Sequence, residues 1–244
     1  MENKKRLAAL ADIHTRVSDK GHWKDRFAEI SDQADVLLIC GDLTDTGDEE
    51  EADVLAEELR HASIPVIGVL GNHDYEKGRQ KLIRQILQDS NMIILDGEAV
   101  VIEGIGFSGV KGFGGGFDRY MLSMFGEEAM KDFVQEAVNE SLLLDRALSR
   151  LEQEYPEVKK IALLHYSPIQ ETVEGEPLEI YPFLGSSYLA EPLQRRNVTA
   201  AFHGHAHVGQ FQGATAGGVP VYNVALPVLQ AHYDASTYYT VLDV

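Results

Sequence analysis

One cysteine, one tryptophan and only 21 basic residues among 244 set the first bounds on this chain. A lone Cys40 excludes an internal disulfide and is compatible with a reducing cytosol. The basic residues are outnumbered by 39 Asp and Glu, which leaves a formal net charge of −18. A field of that sign repels polyanions, so a nucleic-acid polymer is not an expected partner. Two bound divalent cations would bring −18 only to −14, so metals alone do not account for the acidity. No apolar run approaches the ~20 residues of a membrane span. The stretch Leu7–Ala11, behind the basic start Met1–Arg6, is too short for a signal h-region. The expectation is a cytoplasmic chain, neither secreted nor inserted.

What is present is the composition of a globular protein, 44% hydrophobic and 25% charged, long enough to bury a large core. Arg6–Ala11, Val36–Cys40 and Val66–Leu70 read as buried strands that each run into a polar or glycine-containing turn. Helical periodicity separates them at Gly21–Asp32 and Glu49–His61, with Asp48 as the cap of the second helix. Strands alternating with helices imply parallel βαβ units. A helix over Lys77–Gln88 and a short strand Met92–Leu95 follow, then extended pieces at Ala99–Glu103 and Gly106–Val110. Four glycines make Lys111–Phe117 a flexible loop, and Glu127–Glu154 is a long amphipathic helix stopped by Pro156. Beyond it come a strand Lys160–His165, an acidic loop from Pro168 to about Pro182, and a short helix Leu189–Arg195. Val198–His203, Val208–Phe211, Val219–Tyr222 and Thr237–Leu242 read as strands with hairpin spacing. The sum is an α/β fold, a two-sheet β-sandwich flanked by helices. A single domain over 1–244 is favoured over a two-domain split because the candidate ligands span Asp12 to His207 and must converge.

Those candidates lie in five places, each just beyond an expected strand: Asp12-Ile-His14, Gly41-Asp42-Leu-Thr-Asp45, Gly71-Asn72-His73-Asp74, His165, and Gly204-His205-Ala-His207. Ligands gather beyond the carboxyl ends of strands in open α/β sheets. Asp-x-His and His-x-His put both side chains on one side of an extended backbone, as a chelating pair requires. Any one motif could be an ordinary polar turn; five in order after strands are not.

This ordered set resembles the calcineurin-like metallophosphoesterase superfamily, and the match covers most of the chain. The resemblance implies that Asp12, His14 and His207 ligate one metal, that Asn72, His165 and His205 ligate a second, and that Asp42 bridges them. It also implies that His73 donates a proton to the leaving oxygen, with Asp74 orienting its imidazole. Asp45 is expected to orient ligands rather than bind metal itself. Mixed N/O ligands suit transition metals such as Mn, Fe, Zn or Co better than Mg or Ca. A water bridging two such ions would be acidified toward a hydroxide nucleophile. Within Gly109–Tyr120, Lys111 and Arg119 are candidates for meeting a phosphate, whereas the acidic loop Glu171–Glu179 should be peripheral. His203 reads as a satisfied strand histidine, and Cys40 as a small buried residue. The favoured function is hydrolysis of a small-molecule phosphodiester. Monoesterase or nucleotide pyrophosphatase activity is the alternative, with nuclease or pseudoenzyme roles behind it.

Overall fold

The computed structural model describes residues 4–244; Met1–Asn3, part of the basic start, lie outside the described residues. Two mixed sheets flanked by helices make up the fold. The first sheet contains β1 (Arg6–Leu10), β2 (Val36–Cys40), β3 (Val66–Val69) and β4 (Met92–Ile94), all parallel. Its connecting helices are α1 (Lys24–Gln33), α2 (Glu49–Leu59) and α3 (Gln80–Asp89). Every residue of β2 is buried, which is why Val-Leu-Leu-Ile-Cys reads as a continuous apolar run rather than an alternation.

The second sheet begins with the antiparallel pair β5 (Ala99–Ile102) and β6 (Ile105–Gly109). After α4 (Glu128–Glu154) the chain enters β7 (Lys159–Leu163), parallel to β6, and then crosses α5 (Tyr181–Leu184) and α6 (Ala190–Arg195) to β8 (Ala200–His203). The C-terminal part departs from the expected hairpins. Val208–Phe211 is not a strand; β9 (Gln212–Ala214) starts after it and pairs antiparallel with β10 (Pro220–Asn223). β10 itself lies parallel to β8. A helix absent from the expected elements, α7 (Leu226–His232), then returns the chain to the first sheet, where β11 (Thr240–Asp243) pairs antiparallel with β1.

Two local devices fix the first helices. Asp48 caps α2 as expected: its side chain accepts from the Glu50 amide at 3.1 Å, and Glu51 reaches back to the Asp48 amide at 3.3 Å. α1 starts later than its periodicity suggested, because the Glu58 carboxylate of α2 takes the amides of Gly21, Trp23 and Lys24 at 2.7, 2.9 and 2.7 Å. Glu58 is buried, so Glu58→Gln would set an amide NH₂ against at least one of these N–H donors and leave it unpaired, while the remaining oxygen still accepts. A loss of about 1–3 kcal/mol is expected, read as a lower urea midpoint at unchanged m-value.

Candidate metal centre

All five motifs sit where their strands end. Asp12 and His14 follow β1, Asp42 and Asp45 follow β2, and Asn72, His73 and Asp74 follow β3. The expected strand Lys160–His165 stops at Leu163, because the amides of His165 and Tyr166 both turn to the Lys111 carbonyl at 3.0 Å. His205 and His207 follow β8. The loops after β1 and β2 are laced together by backbone bonds from Asp12, His14 and Thr15 to Gly41, Asp42 and Leu43. Asp12, His14, Asp42 and His205 all hold positive φ, at 58°, 43°, 48° and 70°. Four strained backbones among seven expected ligands mark a site whose surroundings dictate its geometry.

Three groups of donors result; one is His14, Asp45 and His73, and the other two consist of expected ligands. Asp12, His14 and His207 converge, as do Asp42, His165 and His205, each set with ligand atoms within 4.8 Å of one another. The Asp42 carboxylate faces both. One oxygen lies 3.3 Å from His165 Nε2, and the other lies 3.8 Å from His14 Nε2. Asn72 Oδ1 lies 2.9 Å from His165 Nε2, which adds Asn72 to the second group.

The proton positions follow from the partners. His165 Nδ1 faces the Cys40 carbonyl at 3.0 Å and must carry the hydrogen, so its Nε2 presents a lone pair to Asn72 and Asp42. In the same way His205 donates from Nε2 to the Phe183 carbonyl at 3.1 Å, leaving Nδ1 as the free lone pair. His165 Nε2, His205 Nδ1 and Asn72 Oδ1 are thus lone pairs, the kind of donor a cation would satisfy. Burial, followed by the charges of Asp12 and Asp74, pushes the Asp42 carboxyl up to about 9. Burial would also raise Asp12, but hydrogen bonding to His207 and the nearby histidines bring it down to about 2. Burial lowers His14, His165 and His205, which favours the neutral imidazole a metal needs. The residues present are ones that could hold a pair of metal ions.

Glycine permits this packing at two points. A Cβ on Gly71 would overlap Asp42, and one on Gly204 would overlap Asp12.

Several expected contacts differ. The Asp74 carboxylate does not orient the His73 imidazole. It is buried and accepts from the amides of Leu43, Thr44 and Gly71 and from the Thr44 hydroxyl, at 2.6–3.2 Å, so it fixes the loop that carries Asp42. The His73 ring is held instead by the Asp45 carbonyl, 2.6 Å from Nδ1, which leaves Nε2 facing Asp42 at 4.0 Å. The Asp45 side chain lies 3.8 Å from His14 Nδ1 and accepts from Arg16 at 3.0 Å. The segment Lys111–Phe117 is not a loose loop: most of it is buried, and Gly112, Gly115 and Gly116 donate to Glu140, Pro182 and Gly185. Lys111 is buried 3.6 Å from Glu140, with Nζ bonded to the Gly112 carbonyl and 4.9 Å from the Phe113 ring centroid. Arg119 is exposed and lies over the Tyr120 ring.

The acidic loop is not peripheral either. Glu176 accepts from the Val208 amide at 2.7 Å, beside His207, and Thr172 lies 2.8 Å from His203 Nε2. His203 is buried and fully partnered, its Nδ1 donating to the Gly204 carbonyl. Three contributors had no signal in the motifs: Tyr166, whose ring is tilted against that of His205 with centroids 4.3 Å apart; Asn223, which ties Thr172 to Ala206; and Arg16. Of these, only Asn223 carried a cue, as a polar residue at a strand end.

The calcineurin-like phosphoesterase family model matches residues 5–209, and the chain belongs to that family, whose members are metal-dependent phosphoester hydrolases with dinuclear centres. No curated protein matches the sequence. The fold is similar to that of phosphopantetheinyl hydrolase from Mycobacterium tuberculosis, with a TM-score of 0.67 at 15% identity over 99% of this chain and 97% of that one. A protein from Thermus thermophilus gives 0.58 at 16% identity, covering 93% and 92%. The anchor in the inner membrane complex of Plasmodium gives 0.53 at 15%, covering 93% and 73%. No helix among the described residues is long and apolar enough to cross a membrane.

Proposed function

We propose that this chain hydrolyses a small-molecule phosphodiester. Asp12, His14 and His207 would hold one ion, Asn72, His165 and His205 the other, and Asp42 would lie between them. The observation that carries this reading is the Asp42 carboxylate, with one oxygen turned to a histidine of each group. Its negative charge would reduce repulsion between the ions, which a neutral imidazole does poorly. When bound, two transition-metal ions supply Lewis acidity and an acidified water. His73, as the imidazolium, would give the leaving oxygen its proton from Nε2 and keep the Nδ1 hydrogen on the Asp45 carbonyl. Asp45 would steady both His73 and His14. The net charge of −18 supports a diester over a monoester, because a diester brings one negative charge where a monoester dianion brings two. The convergence of residues 12 to 207 supports a single metallophosphoesterase domain. A fold relative named for phosphopantetheinyl hydrolysis adds that type of ester to the compounds to be tried.

The test is the metal-loaded protein against a panel of diesters, monoesters and nucleotides. Two ions per chain by atomic spectroscopy are expected, with loss of activity on chelation and its return with metal. Diester kcat/KM should exceed monoester kcat/KM by about tenfold or more, roughly the 1.4 kcal/mol that one extra repulsive charge imposes at effective dielectric. A higher value for monoesters or pyrophosphates would overturn the diester assignment.

A further inference from the structure

Beside the metal centre lies a cavity of about 330 Å³, within the size range of small-molecule sites, walled by Phe117, Tyr120, Leu178, Tyr181 and Pro182. No expected metal ligand lines it, but two of its wall residues connect to the loop that carries His205 and His207. Phe117 is buried in one apolar cluster with Ala206, the residue between His205 and His207. Pro182 precedes Phe183, whose carbonyl takes the His205 hydrogen at 3.1 Å. The walls are fixed: the amides of Gly115 and Gly116 bond to Pro182 and Gly185 at 2.7 and 2.9 Å, and Tyr181 meets Phe117 edge-on with ring centroids 6.3 Å apart.

The mouth is apolar although it faces water. Leu178 is 73% exposed and Tyr120 68%. A cluster of large apolar side chains held in solvent at a cleft marks a ligand-binding surface rather than incidental exposure. The surrounding charge is negative. Glu174 and Glu176 lie close enough, after burial, to raise the Tyr181 phenol. Among the described residues the lining includes no basic side chain, and Arg119 is laid over Tyr120 with its guanidinium bonded to the Tyr120 hydroxyl at 2.6 Å. A second anionic group would be repelled here, and a hydrophobic one would be covered.

Resting on the diesterase reading above, we propose that this cavity receives an uncharged apolar arm of the phosphodiester, and that Leu178 and Tyr181 determine specificity for it. The substrate class is then a diester with one hydrophobic alkyl or aryl-alkyl substituent.

The test uses 4-nitrophenyl methyl, hexyl and 3-phenylpropyl phosphates. All three share one leaving group and differ only in the arm. For the unaltered protein, kcat/KM should rise on the order of 10–100-fold from methyl to the longer arms, as burial of several methylenes predicts for a partly open pocket. Leu178→Asp, at a side chain too exposed to disturb folding, and Tyr181→Ser should each shrink that ratio to within about threefold, with metal content unchanged. Equal kcat/KM for all three arms would overturn the pocket assignment and leave the diesterase reading standing. So would an unchanged ratio in both variants. No turnover of any of the three would overturn both.

Discussion

Asp42→Ala is expected to lose both metal ions and roughly 10³-fold or more of kcat/KM, since loss of about 4 kcal/mol of charge stabilisation corresponds to that factor. The Asp42 carboxylate faces both donor groups, with its two oxygens 3.3 and 3.8 Å from His165 and His14. Asp42→Asn separates the charge from the shape. Without metal, burial and the neighbouring Asp12 and Asp74 push the Asp42 carboxyl up to about 9, against an ordinary value of 3.8. The folded metal-stripped protein therefore keeps a proton that the unfolded chain gives up. Its stability falls as pH rises from about 4 through 9, because the folded state binds more protons across that window. Asn needs no proton, so metal-stripped Asp42→Asn should be at least as stable at pH 7 as the stripped parent, and its stability should depend less on pH. With metal the order should reverse, since only the parent gains from the ions. Melting temperatures with and without chelator, together with metal analysis, check each arm. An Asp42→Asn protein that binds two ions and turns over diesters normally would sink the bridging role.

The site was more legible in the sequence than its supports were. Asp12, His14, Asp42, Asn72, His165, His205 and His207 stand beside short apolar runs, and a run followed by a polar turn marks a strand end whatever the tertiary packing. What the sequence could not convey is which backbone groups each side chain would meet. Asp74 follows His73 in the chain, but the short helical turn over His73–Tyr75 sends its carboxylate down to Leu43, Thr44 and Gly71. Glycines at 112, 114, 115 and 116 read as freedom. In the fold they allow Lys111–Phe117 to lie against residues 182–186, where a Cβ on Gly114 or Gly115 would crowd Pro182 or Ser186. The acidic loop reads as repelling a phosphate and so as peripheral, yet its contacts with the Val208–Gln210 segment run through the Glu176 side chain and the Glu174 carbonyl. α7 is not legible in the sequence because Leu226-Pro-Val-Leu is a short apolar run whose period does not separate strand from helix, although Pro227 in its first turn suits a helix start.

His73→Ala should cost on the order of 10²–10⁴ in kcat with an alkyl leaving group, the usual range for general acid catalysis. The ring is already aimed: Nδ1 is committed to the Asp45 carbonyl at 2.6 Å, so Nε2 is the atom left to deliver a proton. A general acid matters most when the departing oxygen is a poor leaving group. Nitrophenolate carries its negative charge unaided, whereas an alkoxide must be protonated as it leaves. A 4-nitrophenyl diester should therefore lose clearly less activity than a dialkyl diester, measured where chemistry limits the rate in both. Metal content has to be followed in the same samples. The His73 amide donates to Asp42 Oδ1 at 2.9 Å, and the neighbouring Asn72 lies against His165, so a collapsed site could imitate a lost acid. The substitution keeps that amide, and two ions should still be bound. If they are, and both substrates lose activity by the same factor, His73 is stabilising charge on the phosphoryl group rather than protonating the leaving oxygen. An Asp45 substitution offers no independent check, because the contact to His73 comes from the Asp45 backbone carbonyl and survives any side-chain change. The leaving-group comparison is thus the measurement that decides between proton delivery and charge stabilisation.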